Sequence, residues 1–256
     1  MSDGPDAFIF DLDGVITFTA RVHAAAWKEL FDTFLRGWSE KSGEPFQPFR
    51  ESDYYAYVDG KPRYDGVLSF LRSRGIHLPY GSQSDAASAV TGCGLGNRKN
   101  ELFNQKVREE GVEVDEEAMR LVRELRARGV RTGIASSSKN AVPILEGAGI
   151  RGQFDAVVDG VVSERLQLRG KPQPDIFLQC LSWLVQPLQA RRAAIAEDAI
   201  AGVEAGRLGG FGLVLGVDRE NSGALKRHGA DWAIHDFREV SAEKVFAFFS
   251  ERARAA

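Results

Sequence analysis

What most limits the fold of this 256-residue chain is a rhythm of short apolar runs separated by helical segments. The runs fall at 7–10, 130–135, 154–158, 193–196, 212–215 and 232–235, and the helical spacings at 116–128, 140–148, 174–184, 199–208 and 224–228. Strand-length runs alternating with helices of period 3.6 are the pattern of a parallel sheet wound by βαβ units. The spacing therefore predicts an α/β fold, a Rossmann-like, doubly wound parallel sheet. Gly129 and Gly149 stand where helices must stop.

One stretch breaks the rhythm. From about 19 to 106 there is no strand pattern, only helical segments at 24–35, 65–74, 83–90 and 99–109, with a Gly-, Pro-, Ser- and aromatic-rich loop at 37–60. A chain of this length suits one core plus an insertion, at roughly 100–200 residues per domain. The expected division is a core of 1–18 with 110–256 and an all-helical cap of 19–109. Ligands of open α/β sheets sit beyond the carboxyl ends of the strands. An insertion emerging right after the first strand is placed to act as a lid there.

The first run ends in Asp11-Leu12-Asp13-Gly14-Val15. Two acids at i and i+2 are costly in a sheet core, so the strand has ended and turned by Asp11. A carboxylate can attack phosphorus and split one hard displacement into two easier ones. A second carboxylate, Asp13, is then free to move protons. A solvated acidic turn would explain many such pairs, but three further segments lie at strand ends. Ser136-Ser137-Ser138 offers hydroxyls and N–H groups before a helix; N-capping would account for one serine of the three. Lys171 is flanked by Gly170, Pro172 and Pro174, which suggests a held rather than a solvated ammonium. Glu197-Asp198 closes an apolar strand, where an acidic pair needs a cation or hydrogen-bonded partners. These are the parts phosphoryl transfer needs, which is positioning plus electrostatic stabilisation.

Composition narrows the partners. With 33 basic and 36 acidic residues, net charge −3, the chain lacks the basic excess of nucleic-acid-binding domains. No run approaches the ~20 apolar residues of a membrane span. The polar start, 1–6, leads directly into the first strand, so no signal peptide is expected. The two cysteines, Cys93 and Cys180, have no metal-like spacing and are expected to be reduced thiols, with a cytoplasmic location by default.

On Asp11-Leu12-Asp13-Gly14-Val15, Ser136, Lys171 and Glu197-Asp198, in that order, the chain resembles the haloacid dehalogenase superfamily along essentially its whole length. The helical insertion is similar to that superfamily's C1-type cap. Within it, 11–17 with Thr19, His23, Trp27 and Lys28, the segments 136–140 and 170–177, and the cap segments 60–63 and 98–100 resemble the β-phosphoglucomutase-like family.

The resemblance implies a division of roles. Asp11 would be the phosphorylated nucleophile and a metal ligand, and Asp13 the general acid/base and a ligand through its carbonyl. Glu197 and Asp198 would complete a Mg²⁺ site. Ser136 and Lys171 would hold the transferring phosphoryl group, and Ser138, Asn140 and Arg63 the distal phosphate. His23 would assist proton handling at the hinge, Lys99 would contact substrate, and Thr19 and Trp27 would line its site. His23, beside Val22 and Ala26, also fits a partly buried, satisfied histidine, and Arg63 a solvated helix-start cation. Phe18, Ala199 and Gly66 depart from the family's usual acidic, hydroxyl and small polar residues, and the 37–60 loop is longer than in compact mutases.

Three functions follow from this reading. The first is a mutase interconverting β-glucose 1-phosphate and glucose 6-phosphate through glucose 1,6-bisphosphate. The second is a sugar-phosphate or other small phosphomonoester phosphatase with the same Asp11 chemistry. The third is a non-catalytic sugar-phosphate sensor, which would be expected to lack Asp11, Asp13 or Asp198; all three are present. The resemblance also implies a monomer acting on a small-molecule sugar phosphate.

Overall fold

Six strands answer the six apolar runs in the computed structural model of the chain, which describes residues 4–255. They are β1 (Ala7–Phe10), β2 (Arg131–Ala135), β3 (Ala156–Val158), β4 (Ala193–Glu197), β5 (Leu213–Val217) and β6 (Trp232–Ile234). All pair in parallel, in the order β3-β2-β1-β4-β5-β6. The chain leaves β1 to one side through β2 and returns on the other through β4, so the sheet's switch point lies beside β1. The doubly wound α/β fold is the one the sequence predicted.

Every residue of β1 is fully buried. Successive side chains point to opposite faces. Ala7 and Ile9 join the cluster of Phe177, Cys180 and Leu181 from α8 (Asp175–Leu184). Phe8 and Phe10 turn the other way, their rings stacked 4.5 Å apart. On that side Phe154 meets Phe10 edge-on at 6.4 Å. A parallel strand covered on both faces reads as a continuous apolar run, which is why the sequence shows no alternation there.

The remaining helices of this unit are α5 (Glu116–Ala127), α6 (Ala141–Gly147), α7 (Gly160–Arg165), α9 (Ile200–Leu208), α10 (Ala224–Arg227) and α11 (Ala242–Ala255). Two of these escaped the sequence reading. α7 is too short for a 3.6 period to register, and it is started by Asp159, whose Oδ1 accepts the N–H groups of Val161 (3.0 Å) and Val162 (2.8 Å). α11 turns Ala242, Val245 and Phe249 inward at helical spacing, a signal present in the sequence but unused.

The chain divides into two units, Met1–Phe18 with Glu113–Ala256, and Thr19–Val112. The second is all helix: α1 (Thr19–Ser42), α2 (Glu51–Asp53) continuing into a wider turn at Tyr54–Val58, α3 (Arg63–Ser73) and α4 (Gly92–Glu110). Its core is aromatic. Phe31 stacks on Trp27 at 5.2 Å and meets Phe49 at 5.0 Å and Phe70 at 4.2 Å. The 37–60 segment is thus less of a loop than expected. α1 runs on to Ser42, and Phe49 enters the core while its N–H donates to Asp32 Oδ1 at 2.7 Å.

The helix expected over 83–90 does not form; that segment is a series of turns. Asp85 Oδ2 accepts the Ser82 N–H (3.1 Å) and the Thr91 hydroxyl (2.6 Å). Asn97 Nδ2 donates to the carbonyls of Gln83 (3.0 Å) and Asp85 (2.8 Å). Such side-chain bonds give the backbone an alternative to the helical ladder.

Residues 1–3, part of the polar start, and residue 256 lie outside the described residues. No described helix is long and apolar enough to cross a membrane. Both cysteines are free and buried. Asp159→Ala, which removes a buried cap with two N–H partners, is expected to lower unfolding free energy by about 1–2 kcal/mol in urea titration.

Candidate active site

The sheet register alone gathers the central groups. Phe10 pairs with Ala196 on one side and Ile134 on the other. One residue further, Asp11 and Glu197 leave adjacent strand ends side by side, with Ser136 just past the end of β2. Asp11 keeps the ladder going by one bond, its N–H donating to the Ala196 carbonyl at 2.9 Å. Its carboxylate is then left in a place that is almost fully buried.

Lys171 enters from the loop before α8, and its ammonium is the cation between the acids. Nζ donates to Asp11 Oδ1 at 2.6 Å and to Glu197 Oε1. It also lies 4.9 Å from the Phe177 ring centroid, so the first turn of α8 forms a floor under it. The lysine predicted to be held is held. Burial pulls its pKa down, but Asp11 and Glu197 together outweigh that and leave it raised, so it stays charged. Burial pushes the Asp11 carboxyl up; Lys171 opposes this, and Glu197 and Asp13 add to it, leaving Asp11 at about 8.

Glu197 spends its second oxygen on the chain that follows. Oε2 accepts the Ala199 N–H at 2.8 Å. Ala199 is the N-cap residue of α9 and has no side-chain hydroxyl, so the missing hydroxyl noted in the sequence is accompanied by a carboxylate folded back over the helix start. This leaves no room for a side chain at Gly202, where a Cβ would overlap the Glu197 carboxyl group.

Past Asp11 the chain doubles back. The Leu12 carbonyl accepts the N–H groups of Ile16 (3.0 Å) and Thr17 (2.9 Å) and the Thr17 hydroxyl (3.2 Å). Gly14, at φ +86°, makes this reversal in a region that glycine enters without strain. Asp13 sits half-buried on that turn and bridges Thr17. Ser136 is buried, and its Oγ accepts the Ser138 N–H at 3.1 Å; Ser138 Oγ in turn accepts the Asn140 N–H at 3.2 Å. The serine run is therefore a chain of local turns leading into α6. Asp198 is half-buried directly after Glu197.

The other predicted residues lie in the helical unit and form two clusters there. Lys99 of α4 is buried, with Nζ 2.5 Å from His23 Nδ1 and 5.1 and 4.7 Å from the Trp27 and Phe103 rings. His23 and Trp27 are on α1, and the His23 and Phe103 rings are 4.0 Å apart. Next to Lys99 on α4, Asn100 Oδ1 accepts from Arg63 Nη2 at 2.8 Å. Burial lowers the Arg63 pKa, and no carboxylate forms an ion pair with it among the described residues. Thr19, at the start of α1, is buried. Gly66, the third departure, lies under Trp27 and Val58, where a Cβ would be 3.4 Å from Val58 Cγ1. The sequence reading missed Phe103, Phe177 and Gly202. Gly202 left a trace there as a small residue one turn beyond an acidic pair, and Phe177 as the last residue of the 170–177 segment.

Among the described residues, no three His, Cys, Asp or Glu side chains gather in an arrangement that could hold a metal. The chemistry of the donor set nevertheless fits Mg²⁺. The acids around Asp11 offer only hard oxygens, which Mg²⁺ prefers, and it needs only one or two protein carboxylates beside substrate phosphate and water. Asp11 holds its proton to about pH 8 under burial and its acidic neighbours, so a further cation would favour the ionised form that can attack phosphorus.

The model of the haloacid dehalogenase-like hydrolases matches residues 5–210, and the chain belongs to that family. It is an enzyme of phosphoryl transfer. A β-phosphoglucomutase of Mycobacterium bovis is 43% identical over 239 residues, 91% of this chain and 90% of its own length. That of Bacillus subtilis is 32% identical over 228 residues, 85% and 86% of the two chains. The solved structure of a Clostridium difficile β-phosphoglucomutase has a TM-score of 0.78 at 23% identity over 98% of this chain and 99% of that one, a likeness of fold.

Gly202→Ala is expected to push Glu197 off Lys171 and cut turnover at least roughly tenfold, with far-ultraviolet circular dichroism unchanged. Unchanged turnover would show that Glu197 has somewhere else to go. Asp11 also gives a pH prediction for the metal-free protein. Its folded pKa of about 8 exceeds its ordinary 3.8. The folded state thus keeps a proton that the unfolded chain releases, and the stability it contributes is present below 3.8 and lost as pH rises towards 8. With EDTA present, Asp11→Asn should melt progressively above wild type as pH climbs from 5 to 8. Parallel melting curves across that range would count against the assigned burial.

Proposed function

We propose that this enzyme interconverts β-glucose 1-phosphate and glucose 6-phosphate through glucose 1,6-bisphosphate, with Asp11 as the group that carries the phosphoryl between them. The observation that carries the reading is the buried Asp11–Lys171–Glu197 arrangement at the switch point of the sheet. The choice of a mutase draws its support from the 43% identity to a β-phosphoglucomutase over nine-tenths of both chains.

The residues divide the work as follows. An Asp11 oxygen attacks the phosphorus of the bisphosphate, and the bond from phosphorus to the sugar oxygen breaks. Asp13 supplies the proton to that leaving oxygen. Lys171, kept cationic by its two acids, and Ser136 steady the equatorial oxygens of the transferring group. In the return step Asp13 accepts the proton of a sugar hydroxyl, whose oxygen takes the phosphoryl from Asp11. Glu197 orients Lys171 and so acts through it.

Mg²⁺ would be held by Asp11, the Asp13 carbonyl and Asp198, with Glu197 close by, and would supply neutralisation of the phosphoryl charge. Glu197 is the poorest ligand of the set, because its oxygens already serve Lys171 and Ala199. Ser138, Asn140 and Arg63 are assigned to the phosphate that does not react, and a half-buried guanidinium that donates to the Asn100 amide and forms no carboxylate ion pair among the described residues suits an anion. His23 and Lys99 are assigned to sugar contact and proton handling, with Thr19 and Trp27 beside them.

The test is conversion of β-glucose 1-phosphate to glucose 6-phosphate, with and without catalytic glucose 1,6-bisphosphate, alongside an assay for free phosphate. Isomerisation that depends on the bisphosphate, with little phosphate released, is the expected result. Phosphate release without isomerisation would replace the mutase by a phosphatase.

A further inference from the structure

Arg219 stands in the loop after β5, and that loop is rigid at its root. The buried Asp218 carboxylate accepts the Ser222 N–H (3.0 Å), the Ser222 hydroxyl (3.0 Å) and the Gly223 N–H (2.7 Å). From this base the guanidinium reaches three groups. Nη2 donates to Asp115 Oδ2 at 2.7 Å, and Nε donates to the Gly14 carbonyl at 3.1 Å. The guanidinium carbon lies 4.6 Å from the Phe18 ring centroid. The Asp115 side chain is only 6% exposed and the Arg219 side chain 26%, so this pair is shielded from solvent well beyond an ordinary surface bridge.

The three groups belong to the segment leaving β1 and the segment returning to α5. These two are themselves paired. Thr17 bridges Val114, the Phe18 N–H donates to the Glu113 carbonyl at 2.9 Å, and the Asp115 N–H donates to the Ile16 carbonyl at 2.9 Å. Asp115 also caps α5, its Oδ1 accepting the N–H groups of Glu117 (3.0 Å) and Ala118 (2.9 Å). The Gly14 peptide is thus held from both ends, its N–H on the Thr17 carbonyl at 2.7 Å and its carbonyl on Arg219. The residue immediately before it is Asp13.

We propose that Arg219 is a positioning residue for Asp13, fixing through the Gly14 carbonyl the turn that aims its carboxyl group at the leaving oxygen. Phe18 matters to this arrangement. An acid at that position would compete for the guanidinium N–H groups, whereas a phenyl ring takes the flat face and leaves the donors to Gly14 and Asp115. The inference rests on Asp13 being the acid and base of the proposed reaction.

That dependence sets the test, since an acid is needed only when the leaving group is poor. Phosphorylation of Asp11 is measured in single turnovers with two donors. Glucose 1,6-bisphosphate expels a sugar oxygen that needs a proton, and acetyl phosphate expels acetate, which does not. Arg219→Ala is expected to slow the first at least roughly tenfold and the second by less than about threefold, with Arg219→Lys in between. Equal slowing with both donors, or none with either, would overturn the proposal. Asp13→Asn is run in parallel. If it also slows both donors alike, the acid assignment has failed; if it discriminates and Arg219→Ala does not, only the Arg219 role has failed. Should Arg219→Ala not fold, Phe18→Leu, which keeps the ion pair but removes the ring beneath it, is expected to discriminate in the same direction by a smaller factor, and no discrimination would overturn the proposal.

Discussion

The ammonium of Lys171, set between the buried side chains of Asp11 and Glu197, is the contact on which the site depends. Removing one partner of a buried pair typically costs roughly 3–5 kcal/mol, because the other charge is stranded without solvent. The protein accepts that hazard in the centre of its sheet, and it surrounds the place with support. Phe177 lies beneath the ammonium, the Ala199 N–H fixes the far oxygen of Glu197, and a glycine at 202 leaves space for the carboxylate. These supports come from two segments, the starts of α8 and of α9, so the charge balance of the site does not belong to any one motif.

Topology accounts for why these groups meet. β1 and β4 are distant in sequence but adjacent in the sheet, and in-register parallel pairing delivers their ends at the same level. A slip of one residue would turn Asp11 to the other face. The four fully buried residues of β1, gripped on both faces, make such a slip costly. Apolar packing on both faces of β1 is therefore what fixes the height of Asp11 above the sheet.

Much of this was legible in the sequence, and the reasons for the exceptions are physical. The strands could be read because parallel strands must be apolar throughout, and the acids could be read because charges at strand ends are rare without cause. Lys171 could be placed near the site from its flanking prolines, but its double partnership could not, since that depends on the register of β1 against β4. The segment 83–90 looked helical by composition, and the bonds of Asp85 and Asn97 redirected it. Those bonds join residues across a turn, where a periodicity of side chains carries no information. The positions of Phe103 and Arg219 were invisible for a related reason: one is an ordinary aromatic on a helix and the other an ordinary cation on a loop, and only tertiary neighbours distinguish them.

The paired segments around Thr17 and Val114 have a consequence of another kind. Because the outgoing and returning segments are bridged to each other at Thr17 and Val114, the ends of the helical insertion are about one strand spacing apart, roughly 4.8 Å. Nothing in the sheet has to stretch or rewire to accommodate what lies between them. An insertion joined through such a narrow neck can be lengthened, exchanged or redesigned over generations while the sheet keeps its own register, so the sheet and the helical insertion are free to evolve at different speeds.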